Sequence, residues 1–151
     1  MPRSSRRLCS CLLSMVLLLT RERTRTVGTG NDLQLAVLAL AQPADVQLSL
    51  YPDLVCKADE LALDFDDGLK MLGQDDKFTD EQQASLQALD ELLSRMSGEQ
   101  NASFWTEEAL GSDPTWEVVR SMAKAVVASF GWELRRPPPS SATYVRAGPR
   151  R

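Results

Sequence analysis

The sequence predicts an all-α fold, a small single-domain bundle of five or six short helices over residues 31–134. Three observations predict it. Apolar residues recur at spacings of three and four in several separate stretches. Capping residues precede these stretches and glycines follow them. No segment alternates apolar and polar over a strand's length, with Ala142 to Val145 as the one exception. The chain of 151 residues is long enough for one domain of ordinary size.

Asn31 or Asp32 caps a first helix from Leu33 to Ala41. Leu33, Leu35, Val37, Leu38 and Leu40 leave it apolar on nearly every side, which predicts burial. Pro43 suits the first position of a second short helix through about Leu50, where its missing N–H costs nothing. Pro52 resets the chain, and Asp53 is the expected cap of a helix from Leu54 to Leu72. Its stripe is Leu54, Ala58, Leu61, Phe65 and Leu72; Gly68 weakens its last turns and Gly73 stops it. Gln74 to Phe78 reads as a polar loop.

Thr79 and Gln82 form a capping-box pattern ahead of the stripe Leu86, Leu89, Leu93, Met96, which Gly98 ends. Trp105, Thr106 and Leu110 have the spacing of a hydrophobic staple, predicting a short helix to about Gly111. Asp113 caps and Pro114 starts the last helix, in which Trp116, Val119, Ala123, Val126 and Phe130 repeat at three and four before Gly131. Trp132 is expected to pack back over its end.

The termini differ from this module. Residues 1–30 carry six arginines against Glu22, and residues 133–151 carry five against Glu133. The remaining span, 31–132, holds six bases and nineteen acids, so an acidic module stands between two basic ends. Arg3, Arg6 and Arg7 precede an apolar run from Leu8 to Leu19, as in a secretory signal, but no cleavage-site pattern follows. The run is shorter than the about 20 residues that span a bilayer. Residues 1–30 are therefore expected to be a leader or spurious extension outside the fold, and the module is expected in the cytoplasm. A genuine leader would instead make the protein secreted or membrane-associated. Residues 135–151, with Pro137, Pro138, Pro139 and Pro149, are expected to form an extended or disordered tail.

Composition excludes much chemistry. The chain has no histidine, which removes Ser-His-Asp and Cys-His catalysis and every histidine metal site. Three cysteines fall short of a four-thiolate zinc site, and Cys56 stands alone within the module, without an activating base. Val27-Gly-Thr-Gly30 matches no phosphate-binding glycine pattern. Counted from Asp64 as a calcium loop, Gly68 falls at position five and Asp75 at twelve, where glycine at six and glutamate at twelve are required. No enzyme activity, cofactor or metal is expected.

The densest acids are Asp59, Glu60, Asp64, Asp66 and Asp67. On a helix, Asp59, Glu60, Asp64 and Asp67 are expected to face away from Leu61 and Phe65 as a solvated, mutually repelling row. With Asp75 and Asp76 in the following loop they make the candidate surface for a basic partner protein. Nucleic acid is not expected to bind the acidic module, and membrane contact is expected only through a genuine leader. The function expected is a small, non-catalytic, acidic protein-binding module. Its most concrete form, by analogy of size, helicity and charge, is an immunity-type neutraliser of a basic toxin or nuclease. The alternative is a structural or self-associating protein, with Trp105, Trp116 or Trp132 exposed at a homodimer patch.

Overall fold

A computed structural model of the chain describes residues 19–22, 31–73, 76–140 and 142–146. The domain is all-α. Its helices are α1 (Asn31–Leu40), α2 (Ala44–Ser49), α3 (Lys57–Lys70), α4 (Asp80–Arg95), α5 (Glu107–Ser112) and α6 (Pro114–Ser129). A 3₁₀ segment at Glu99–Trp105, broken by non-helical backbone at Asn101, joins α4 to α5. A four-residue ribbon pairs β1 (Leu19–Glu22) antiparallel with β2 (Thr143–Arg146), Leu19 opposite Arg146 and Glu22 opposite Thr143.

The local signals for the starts of α4, α5 and α6 are realised, whereas Asn31 and Asp32, expected as caps, lie inside α1. Thr79 Oγ1 accepts from the Gln82 N–H, and Gln82 Oε1 accepts from the Thr79 N–H, a complete capping box at α4. Thr106 caps α5 by accepting from the Ala109 N–H, and Asp113 caps α6 by accepting from the Thr115 N–H. Pro43 differs by one position: it is the N-cap of α2, with ψ of 157°. Helix α3 starts later than its stripe suggests, with Cys56 as N-cap. Leu54 therefore lies outside the helix and is 61% exposed.

Helix α1 packs against both α3 and α6, and α4 packs against the far side of α6. The order across the bundle is thus α3, α1, α6, α4, which explains why α1 is apolar nearly all round. Val37, Leu38 and Leu40 of α1 are fully buried with Leu61 and Phe65 of α3, Leu89 and Leu93 of α4, and Val119 and Val126 of α6. Gly68 has a specific role here. A β-carbon at that position would lie 2.8 Å from the Leu33 Cα, so its absence lets α1 and α3 approach. Gly131, with φ of 65°, turns the chain out of α6.

The tryptophans expected at a dimer patch are mostly interior. Trp105 and Trp116 are fully buried beside Phe104, whose ring stacks on Trp116 at 4.6 Å. Their indole N–H groups donate to the Met96 and Phe104 carbonyls, so neither ring's polar edge is left unpaired. Trp132 is half-buried and stacks on Phe130 at 4.3 Å, as expected.

Residues 135–140 have no regular secondary structure, as the prolines dictate. They are nonetheless held on the domain rather than free in solvent. The Gln42 side-chain amide donates to the Arg135 carbonyl at 3.0 Å, and the Arg136 guanidinium donates to Ser49 Oγ at 2.9 Å. The Ser140 N–H donates to the Leu50 carbonyl at 2.9 Å, and Pro137 is buried. Among the described residues no helix is long and apolar enough to cross a membrane. The leader lies outside the described residues except for Leu19–Glu22.

Candidate functional site

The acids of α3 do not form a solvated row. Asp59 is 1% exposed, Glu60 7%, Asp64 8% and Asp66 9%. Only Asp67 of the helix's acids keeps intermediate exposure. The physical reason is that α3 is covered on more than its apolar stripe. Phenols from elsewhere in the chain reach its carboxylates and replace water. Tyr51 Oη donates to Asp64 Oδ2 at 2.7 Å, and Tyr144 Oη donates to Glu60 Oε2 at 2.7 Å. Lys70 pairs with Asp66 at 2.6 Å along the helix. Asp76 is exposed and ties the following loop, accepting from the Gly73 N–H at 2.7 Å. Asp75 lies outside the described residues.

Asp59 is the exception among the buried acids. Neither of its carboxyl oxygens has a hydrogen-bond partner. Burial pushes its pKa up to about 7 and outweighs the adjacent Cys56 thiol, which pulls it down; the Glu60 charge adds to the rise. The thiol cannot fully compensate, because its hydrogen is given to the Trp105 carbonyl at 2.9 Å.

A second polar network, invisible to sequence periodicity, joins four helices in the core. Gln47 of α2 is fully buried, and its amide donates to the Ala39 and Leu40 carbonyls at the end of α1. Its side-chain oxygen accepts from Arg120 Nε of α6 at 3.2 Å. The same guanidinium donates to Glu117 at 2.6 Å and to the Leu110 carbonyl of α5. The arginine thereby has an opposite charge and a partner for each of its three nitrogens, which is what a buried guanidinium requires. This network holds the helices together rather than facing a ligand.

Among the described residues, two surface features stand apart from a wider cleft of about 680 Å³ lined by Leu69, Leu72, Phe78 and Leu86. One is the tip before α3, where exposed Leu54 follows exposed Asp53 in the chain. Lys57 Nζ lies 2.7 Å from Asp53 and 3.9 Å from Glu107, which brings these carboxylates together beside exposed Glu108. The lysine's hydrogen bond and charge hold the Asp53 carboxyl below its ordinary pKa. The other is a cavity of about 250 Å³ between α1, Tyr51 and residues 137–140. Its floor is apolar, from Leu35, Ala36, Ala39 and Leu50, and Asp32 and Asp64 stand on its wall.

Among the described residues no group of three or more histidine, cysteine, aspartate or glutamate side chains is placed to hold a metal ion. Compared with protein-family models, curated proteins and solved structures, the chain finds no match.

Proposed function

We propose that this chain is a non-catalytic protein-binding module whose partner is basic. The observation that carries the reading is the charge left on the surface once burial is counted. Of the nineteen acids in 31–132, four are buried and Asp75 is not described. Of the six bases, Lys57 and Arg120 are buried. With exposed Glu133, Arg135 and Arg136 of the segment that lies on the domain, fifteen described carboxylates meet solvent at least partly, against six cations. A surface of that balance steers positively charged proteins toward it and away from phosphates.

Burial moves the contact surface away from Asp59, Glu60 and Asp64. The better-supported anchor is Asp53 and Glu107, which share Lys57, with exposed Glu108 and exposed Leu54 next to them in the chain. Such a tip suits a basic surface with an apolar recess, since the apolar contact holds what the charges steer. The most specific form of the proposal is neutralisation of a basic toxin or nuclease, in which the carboxylates occupy positions that would otherwise hold phosphates.

The test is affinity capture with the full chain as bait, compared with the variant Glu107→Lys/Glu108→Lys. The reading expects a basic protein retained at low salt, released at high salt and lost with the reversed charges. Equal retention by both baits overturns it. A concentration-independent dimer in light scattering would favour the self-associating alternative.

A further inference from the structure

We infer that the groove between α1, the end of α2 and Tyr51 is a recognition site for extended, proline-rich peptide with arginines on its N-terminal side, and that residues 135–140 fill it in cis. The site is separate from the Leu54 tip and does not depend on it. Its chemistry is shown by its present occupant. Three consecutive prolines fix their own backbone and favour a polyproline II path without internal hydrogen bonds. The domain meets one backbone group on each side of the three prolines. Gln42 supplies a donor to the Arg135 carbonyl, and Leu50 supplies an acceptor for the Ser140 N–H. Ser49 Oγ receives the Arg136 guanidinium between them. Proline-rich ligands are commonly held in this way, on an apolar groove with an aromatic ring and a few backbone-directed polar groups.

The fit in cis is incomplete, which is why the groove is read as a site rather than as packing alone. The prolines leave a cavity of about 250 Å³ over Leu35, Ala36 and Ala39. Pro138 and Pro139 are exposed although Pro137 is buried. A peptide in trans carrying a larger apolar side chain at one of these positions can fill that space, and Asp32 and Asp64 on its wall favour a basic ligand over an acidic one. The tail therefore competes with outside ligand for one surface, and its grip sets the apparent affinity.

The probe is a fluorescently labelled peptide of this chain's residues 133–142, titrated into full-length protein and followed by anisotropy. Arg136→Ala/Ser140→Pro removes two of the three strap hydrogen bonds and touches no fully buried residue, so circular dichroism should stay helical. A site filled in cis nine-tenths of the time shows about one-tenth of its affinity, so the loosened variant should bind at least about tenfold more tightly than wild type. A peptide with glycine in place of the prolines should not bind. The full-length variant Pro137→Gly/Pro138→Gly/Pro139→Gly, which weakens the strap by a second route, should show the same gain. No binding to either folded variant, or equal binding of the glycine peptide, overturns the inference. Wild-type dimers that the peptide dissociates would assign the groove to a second copy and overturn it likewise.

Discussion

Replacing Asp59 by asparagine should stabilise the protein at pH 8 and change it little at pH 4. In the folded chain the Asp59 carboxyl is buried, unpartnered and pushed up to about 7 from an ordinary 3.8. Folding therefore favours its protonated form. Below about pH 4 the carboxyl is neutral in both folded and unfolded chains, and burial carries no charge cost. As pH rises from about 4 to 7, the unfolded chain ionises first and stability falls. Above about 7 the loss is complete. A difference of about three pH units at 1.36 kcal/mol each sets a ceiling of about 4 kcal/mol. An unpaired amide at the same place costs about as much as an unpaired neutral carboxyl, so the difference between the two proteins reports the charge. Urea unfolding followed by tryptophan fluorescence suits the measurement, because Trp105 and Trp116 are fully buried. Asp59→Asn should gain about 2–4 kcal/mol over wild type at pH 8, with the gain vanishing toward pH 4. Stability curves that run parallel from pH 4 to 8 would refute the reasoning.

Three further expectations follow from the packing. Gly68→Ala should destabilise by about 1–2 kcal/mol despite alanine's better helix propensity, because its β-carbon would meet Leu33 backbone at 2.8 Å; a raised melting temperature would contradict the close approach. Thr79→Ala should cost about 1 kcal/mol in urea unfolding, through loss of the capping box alone. Arg120→Met should cost about 2–4 kcal/mol, since Gln47 and the Leu110 carbonyl lose their donor inside the core; a change below about 0.5 kcal/mol would mean that network contributes nothing.

Helix α4 was legible almost residue for residue, because its cap and its stripe are both local: Thr79 reads Gln82 three residues on, and Leu86, Leu89 and Leu93 share a face by helical geometry. The same holds for Thr106 and Asp113. Helix α3 shows where such reading fails. Its acids were expected on a solvated face, but four of them are buried, because which side of a helix meets solvent depends on what lies over it. Pro52 and Asp53 also suggested an early start, whereas the chain enters helix only after Cys56.

The amino-acid sequence by itself determined the all-α class, the starts of α4, α5 and α6, and the acidic balance of the middle. These depend on neighbours within four residues or on simple composition. Only the tertiary structure decided that Asp64 and Glu60 are interior, because their phenol partners stand 13 and 84 residues away. It likewise decided that residues 135–140 lie on α1 and α2, since three prolines prescribe an extended path but not the surface it follows. Side chains that meet across such separations leave no periodic trace in the chain, and their contacts exist only once the helices have packed.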